Sequence, residues 1–298
     1  MNYDFMQAKQ PIDFHRKRDF GELFNATFNF IREEFKPLMK ALFTVIMPLV
    51  LVIILIIFFM FGSISAELFS PTYSPSSIED SLELIVSFFT IYLLFGLVAL
   101  IQFTLVYSYI KLYIENGVSP SIGATYEETK RHILRVIAIT FLNMVYVLAG
   151  LVALFFPGIW VSNIVQLAYP AAILDGYKIA ESHGRAFKII SGYWWFTLGA
   201  TIVCSLIVNI ITSIPSFAMQ IIMQIFIATG GEYTEGFATG ILILLAIFAV
   251  VIFLFMMIAS LIPEVFLAFH YFNLKERKEE TGLMGSIDSI KNEEATQG

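Results

Sequence analysis

Apolar residues in this chain fall into long runs that are separated by short polar connections. The runs cover residues 38–61, 84–112, 133–155, 158–175, 194–214 and 240–272. A helix needs about 20 mostly apolar residues to cross a bilayer, and all six runs approach or exceed that length. The pattern therefore predicts an all-α, polytopic membrane protein with six transmembrane helices.

The fourth run, 158–175, is the most polar of the six. It follows Pro157, carries Asn163 and Gln166, and contains Pro170. In lipid, such a segment is stable only where neighbouring protein satisfies its polar groups. We therefore expect this span to be enclosed by other helices.

An amphipathic segment precedes each odd-numbered run, at residues 20–36, 120–135 and 177–191. In the first segment, the apolar residues predicted to share one face at helical spacing are Phe20, Leu23, Phe24, Phe28, Ile31 and Phe35. Asp19 and Glu22 have the spacing of a capping box, and Pro37 is expected to end the segment. Ser119 is the expected cap of the second segment. The chain thus reads as three units, each an amphipathic helix followed by a helical hairpin.

The basic residues predict how the chain is oriented. All 18 Lys and Arg fall within residues 9–40, 111–135, 178–188 and 275–291, whereas the other connections carry only acidic charge. Because Lys and Arg accumulate in cytoplasmic loops, six spans with both termini in the cytoplasm place every basic residue inside. Omitting the fourth span would place the last two basic groups outside, so the charge pattern favours six.

Composition supports a membrane class and excludes others. Apolar residues make up 58% of the chain and charged residues only 14%, whereas soluble proteins average about 45–50% and about 25%. A single cysteine, Cys204, excludes a disulfide framework and a metal site built on cysteine pairs. Residues 1–275 are predicted to form one integral membrane domain, followed by a polar cytoplasmic tail at 276–298.

Polar residues inside membrane spans are candidates for a functional site, because they are costly in lipid. The candidates here are Gln102, Asn143, Asn163, Gln166, Asn209 and Glu264. An amide can equally hold two helices together, a bond worth about 0.6 kcal/mol on average. Glu264 follows Pro263 in the longest run, so it is either a proton or cation site or a charge near the inner headgroups.

Catalytic and metal-binding patterns are missing from the sequence. There is no glycine-rich phosphate loop and no serine nucleophile elbow. The four histidines, His15, His132, His183 and His270, lack ligand spacing, and three of them lie in or beside basic segments that we expect at the surface. We therefore predict no enzymatic activity, no cofactor and no metal.

Three passages carry a resemblance to a known family. They are the opening 18–38 (Arg-Asp-Phe-Gly-Glu-Leu-Phe through Phe-Lys-Pro-Leu), the middle 170–185, and the close 269–283 (Phe-His-Tyr-Phe-Asn-Leu-Lys-Glu-Arg-Lys). Together they resemble the glycerophosphoryl diester phosphodiesterase membrane-domain family and related six-span bacterial proteins. Asn273 and Lys275 stand where that family's closing pattern has Asp and Arg. The resemblance implies a membrane module, with catalysis supplied in some relatives by a soluble barrel that does not follow here.

These observations favour a non-enzymatic integral protein of the bacterial cytoplasmic membrane, acting as a scaffold or accessory component. Its predicted partners are membrane lipids or, through the amphipathic helices, another membrane or cytoplasmic protein, and not nucleic acid. The alternative is a small-molecule or lipid transporter whose cavity is lined by the six polar candidates. Residues 216–228 are expected to form an outer interfacial helix or a short re-entrant element.

Overall fold

The computed structural model describes residues 11–68, 78–228, 248 and 250–280, and this part of the chain is helical without a strand. The all-α prediction is therefore confirmed. The helices are α1 (Phe20–Leu68), α2 (Ile78–Asn116), α3 (Ile122–Ala153), α4 (Phe155–Val165), α5 (Ala168–Leu174), α6 (Ile179–Ile190), α7 (Trp194–Ala228) and α8 (Leu261–Glu279). Residues 250–259 are also helical and lead into α8.

Five helical stretches are long and apolar enough to cross a membrane, and they support membrane placement of the chain. They are Phe20–Ile56, Ile85–Asn116, Ile122–Ala153, Trp194–Ile222 and Val250–Glu279. The predicted fourth span, 158–175, is instead divided between α4 and α5, with a turn at residues 166–167. Six crossings therefore remain a prediction from the sequence.

The first helix extends much further than predicted. The capping box is confirmed: the Asp19 amide donates to Glu22 Oε2 at 3.0 Å, and the Glu22 amide donates to Asp19 Oδ1 at 2.8 Å. The prediction that Pro37 ends the helix is wrong, because α1 continues to Leu68. A proline removes one backbone donor, and in lipid a helix remains the way to satisfy the rest.

The buried face of α1 is also displaced from the predicted one. It consists of Leu23, Thr27, Phe30 and Glu34, which are at most 3% exposed, whereas Phe20, Phe28 and Phe35 are 38–41% exposed. The polar residues on this face have partners: Thr27 Oγ1 donates to the Leu23 carbonyl at 2.8 Å, and Glu34 accepts a hydrogen bond from Tyr109. The phenylalanine stripe lies beside the buried face and is partly exposed, and Phe20 at its start also contacts the ring of Phe196 edge-on.

Two further boundaries correct the predictions. Ser121 caps α3 by accepting from the Ala124 amide at 3.2 Å, so the expected cap, Ser119, is wrong. The separate element expected at 216–228 is absent, because α7 continues through Pro215 to Ala228. Residues 229–247, and the tail beyond residue 280, lie outside the described residues.

Helices α3 and α4 form a tight antiparallel hairpin around the extended residue Leu154. Glycines at the contact let the two backbones approach closely: a Cβ on Gly150 would lie 2.9 Å from Gly158 Cα. A Cβ on Gly158 would lie 2.5 Å from Leu151 Cδ2. Gly150 therefore requires glycine, because its neighbours are backbone atoms, whereas a Cβ at Gly158 would require the Leu151 side chain to move.

The chain packs as two compact units. The first, here called the basic unit, comprises Met1–Ala41, Phe103–Cys204 and Ile262–Gly298. The second, here called the apolar unit, comprises Leu42–Gln102 and Ser205–Leu261. All 18 Lys and Arg belong to the basic unit, and the apolar unit contains none.

Candidate functional site

Three of the six predicted site residues lie around the break between α4 and α5. The Asn143 amide donates to the Val165 carbonyl at 3.2 Å. The Gln166 amide donates to the Asn163 backbone carbonyl at 3.1 Å and to its side-chain oxygen at 3.0 Å. Asn143 and Gln166 thus satisfy carbonyls that the interrupted helix leaves without intrahelical partners.

The same residues join the break to two other helices. Gln166 Nε2 lies 3.3 Å from Thr201 Oγ1 of α7, and Asn163 Nδ2 donates to the Trp194 carbonyl at 3.2 Å. From α3, Arg135 donates to the Ala172 carbonyl of α5 at 3.0 Å. Neighbouring helices therefore satisfy the polar groups at the break, as its polar composition predicted, while Trp160 of α4 is 47% exposed.

His183 is a central member of this group that the sequence did not indicate. It is 4% exposed, and its ring nitrogens lie 2.8 Å from the Ile179 carbonyl and 2.8 Å from Asn143 Oδ1. The prediction that such histidines lie at the surface is wrong for His132 and His183, which are at most 5% exposed. The Asn143–His183 contact joins α3 to α6.

Gln102 belongs to the apolar unit and makes a separate contact there. Its side chain is buried, and Nε2 donates to the Met257 carbonyl at 2.9 Å and to the Ser260 hydroxyl. Ser260 is a turn residue between the helical segment 250–259 and α8. Gln102 therefore fixes α2 against this interruption, as Asn143 does for α3 and the α4–α5 break.

The last two predicted residues make no common site with the others. Asn209 is exposed and donates to the Ser205 carbonyl one turn back in α7, at 2.8 Å. Glu264 lies in the first turn of α8 in the basic unit and is 8% exposed. The six candidates thus occupy different local environments, three of them at the α4–α5 break.

Buried ion pairs in the basic unit connect α5 and α6 to α8. Arg185 is 8% exposed and binds both carboxylate oxygens of Glu279, one of them at 2.7 Å. This hydrogen bonding raises the pKa of Arg185. Lys275 bridges both oxygens of Asp175 at 2.8 and 2.9 Å, and the Tyr271 hydroxyl donates to the same carboxylate at 2.7 Å.

A second group of polar contacts connects α2 to α3. Lys111 lies 2.5 Å from Glu128, which also lies 2.9 Å from His132 Nε2. A third contact involves α1, because Glu34 accepts from the Tyr109 hydroxyl at 2.7 Å and from Ser119 at 2.5 Å. The basic residues of this unit are thus used largely within the fold.

The segment before α1 docks on α8 through an aromatic core. Phe14 stacks on Phe269 with ring centroids 4.1 Å apart, and Phe30, Tyr113 and Phe272 surround it edge-on. Next to this core, the Arg18 amide donates to Asn273 Oδ1 at 2.7 Å.

The Arg18 guanidinium donates to the carbonyls of Phe14, Arg16 and Asp13. Burial lowers the pKa of Arg18. The opening and closing passages singled out in the sequence therefore contact each other directly.

A shallow cleft of about 350 Å³ lies between this N-terminal segment and the polar face of α1. Its lining residues are Ile12, Asp13, Arg16, Arg18, Glu22, Asn25, Ala26, Asn29 and Glu33. Charges of both signs line it, and none of the six predicted site residues does. Among the described residues, no group of three His, Cys, Asp or Glu side chains is placed to hold a metal ion.

Comparison with known proteins found no similar protein. The chain matches no protein-family model, no curated protein and no solved structure. The resemblance in the opening, middle and closing passages therefore stays a prediction.

Proposed function

We propose that the chain is a non-enzymatic integral protein of a bacterial cytoplasmic membrane, acting as a scaffold or accessory component. The observation that carries the proposal is the use of the buried amides. Asn143, Gln166 and Gln102 bond to backbone carbonyls where helices are interrupted. Amides used in this way stabilise the helical framework and are not directed toward a ligand.

Both termini are proposed to lie in the cytoplasm. The support is the distribution of charge, since every Lys and Arg belongs to the basic unit and the apolar unit holds none. This orientation requires an even number of crossings. The arrangement as three helix-plus-hairpin units with six spans remains our proposal from the sequence.

The proposed contact surface is the partly exposed phenylalanine stripe of α1. Phe20, Phe28 and Phe35 are exposed beside the exposed polar residues Arg32 and Lys36. An apolar stripe next to basic side chains suits the headgroup region of an anionic leaflet, and this first part of α1 also carries Glu22, Glu33 and Glu34. Inner-leaflet lipid is therefore the proposed partner of this surface, and a membrane or cytoplasmic protein is the alternative.

Transport of a small molecule or lipid is the second candidate, and one observation favours it. Discontinuous helices form substrate sites in many transporters, and the α4–α5 segment is discontinuous. The carbonyls of Val165 and Asn163 at the break are, however, already bonded to amides of the protein. The bonding of these carbonyls favours a structural role for the break.

A scaffold and a transporter should respond differently in a cell when the buried polar residues are replaced. We would complement a deletion strain with Asn143→Ala, Gln166→Ala and Glu264→Gln, and measure both complementation and the amount of folded protein in the membrane. A scaffold predicts that complementation follows protein amount in all three variants. Loss of complementation at a normal amount of folded protein would refute the scaffold and favour transport. Ser213→Ala is the matched control, because this exposed residue is not among the six candidates and its hydroxyl donates to the Ile210 carbonyl of its own helix.

A further inference from the structure

The three tryptophans of the chain come together in the basic unit, although they are separated in the sequence. Trp160 belongs to α4, whereas Trp194 and Trp195 begin α7. The Trp194 indole donates to the Trp160 carbonyl at 3.3 Å, and the rings of Trp194 and Trp195 lie 4.7 Å apart by centroids. The Phe187 ring of α6 lies 6.0 Å from that of Trp160. Three helices thus bring large aromatic side chains to one place.

Part of this aromatic group is open to the surroundings. Trp195 is 78% exposed, Trp160 47% and Phe187 38%. Indole rings combine an apolar body with a polar N–H, and they are enriched where a membrane meets water. The exposed rings therefore suit the region between the headgroups and the upper acyl chains of a bilayer.

Two exposed lysines flank the turn that leads into α7. Lys188 follows Phe187 directly on α6, and Lys278 of α8 lies 5.8 Å from the Tyr193 ring of the turn. The Arg277 guanidinium lies 5.7 Å from the same ring. Within the described ranges, neither lysine forms an ion pair. Positive charge and exposed rings are therefore neighbours on this surface.

Acidic side chains near the two lysines do not cancel this charge. The carboxylates that accompany Lys278 on α8 each contact another residue: Glu276 contacts His15, Glu279 contacts Arg185 and Glu280 contacts Lys17. Lys188 also interacts electrostatically with Glu279, without forming an ion pair. Glu181, the other acid of α6, lies about 10 Å from Lys188 along the helix. The turn therefore carries an excess of positive charge.

The combination of charge and rings matches one kind of partner. Anionic phospholipids attract Lys and Arg at a membrane surface, and each such residue strengthens the attraction about fivefold. The same lipid offers an apolar region just below its phosphate, where indole rings are favourable. A soluble anion would engage the lysines and leave the rings exposed.

We propose that Trp160, Phe187, Lys188, Trp195 and Lys278, here called the tryptophan surface, bind the headgroups of anionic phospholipids. The two lysines contact the phosphates, and the rings lie against the glycerol and the upper acyl chains. The inference rests on the proposed membrane placement of the chain. It does not depend on which side of the membrane faces the cytoplasm.

The intrinsic fluorescence of the full chain tests this proposal, because all three tryptophans lie at this place. The chain is reconstituted in phosphatidylcholine vesicles that contain a small fraction of one brominated lipid, either phosphatidylglycerol or phosphatidylcholine, with bromine near the carbonyl end of the acyl chains. We expect brominated phosphatidylglycerol to quench more strongly than brominated phosphatidylcholine at the same fraction. Equal quenching by the two lipids would overturn the headgroup assignment.

Single variants test which charges attract the lipid. Lys188→Gln and Lys278→Gln should each lower the preference for phosphatidylglycerol about fivefold. Lys130→Gln is the matched control, because it removes the same charge from an exposed ion pair with Glu127, and it should keep the preference. An unchanged emission spectrum and gel-filtration profile in detergent show that each variant is folded. An equal loss in all three variants would attribute the preference to net charge and overturn the site.

Other occupants and the membrane placement are distinguished by further outcomes. No quenching by either brominated lipid would overturn the lipid contact, and a disulfide between two Trp195→Cys chains in a Cys204→Ser background would then identify a second copy as the occupant. A chain that does not float with the vesicles in a density gradient would contradict the membrane placement itself. A chain that floats without a preference for phosphatidylglycerol overturns only the headgroup site.

Discussion

The basic unit and the apolar unit are stabilised in different ways. The basic unit contains paired charges such as Arg185–Glu279 and Lys275–Asp175, and its N-terminal segment is fixed by the stacked rings of Phe14 and Phe269. The apolar unit has no Lys or Arg, and large apolar side chains such as Ile210 and Leu55 are 66% and 57% exposed.

The difference shows what each unit requires from its surroundings. Paired charges and bonded polar groups specify the packing where α5, α6 and α8 meet in the basic unit, although the α3–α4 hairpin of the same unit exposes Val152 and Phe156 at 87% and 80%. Exposed apolar helices of the apolar unit are satisfied only by lipid or detergent, because water provides no favourable contact for them. The comparison predicts that substitutions in the basic unit cost more than equivalent ones in the apolar unit.

The largest effect is expected at the buried pair of the basic unit. Arg185→Ala leaves Glu279 without its partner, and breaking a buried pair typically costs about 3–5 kcal/mol. Because Glu279 is 30% exposed at its side chain, we expect a loss near the lower end, measured as thermal unfolding in detergent. Glu279→Ala in the same chain should recover part of the loss.

The control for this pair is an exposed one. Lys130 and Glu127 are 50% and 61% exposed, so Lys130→Ala should leave the unfolding temperature unchanged. Equal effects of Arg185→Ala and Lys130→Ala would contradict the importance of the buried pair.

A smaller effect is expected where the hairpin backbones meet. Gly150→Ala places a Cβ 2.9 Å from Gly158 Cα, and overpacking of this kind costs about 1–3 kcal/mol. Gly199→Ala is the matched control in α7, since nothing lies within 4 Å of its added Cβ. It should be neutral or stabilising by about 0.5–1 kcal/mol, because alanine favours helix. If the two variants unfold alike, the close approach is not present in the protein.

The smallest effect is expected in the apolar unit. Gln102→Ala removes the bonds to Met257 and Ser260, and a polar contact between membrane helices is worth about 0.6 kcal/mol, rarely above about 1.7. Asn209→Ala, at an exposed residue, removes a bond within α7 and should have no measurable effect. A loss from Gln102→Ala as large as that from Arg185→Ala would remove the proposed contrast between the units.

Helix type and the first cap followed from local sequence, whereas the cap of α3 is Ser121 and not the expected Ser119. The apolar runs predicted helices because their length suits a bilayer, and Asp19 with Glu22 formed the expected capping box. Pro37 and Pro215 misled the prediction, since both lie inside continuous helices. Proline removes one backbone hydrogen bond, and the loss of that bond does not decide where a long apolar helix ends.

The partners of the buried polar groups could not be predicted. His183 and Asn143 are 40 positions apart, and helical periodicity describes the face of one helix without identifying what packs on it. The face of α1 shows the same limit: Thr27 and Glu34 are polar yet buried, because bonds to Leu23 and Tyr109 satisfy them. A prediction based on hydrophobicity alone therefore took the phenylalanine stripe next to this face as the buried face.

The central claim is that the basic unit faces the cytoplasm, and one measurement tests it directly. Val118→Cys, at a residue 63% exposed between α2 and α3, is placed in a Cys204→Ser background and treated with an impermeant maleimide in intact cells and in inverted vesicles. We expect labelling in inverted vesicles only. Labelling in intact cells would place the basic unit outside and contradict the proposed orientation.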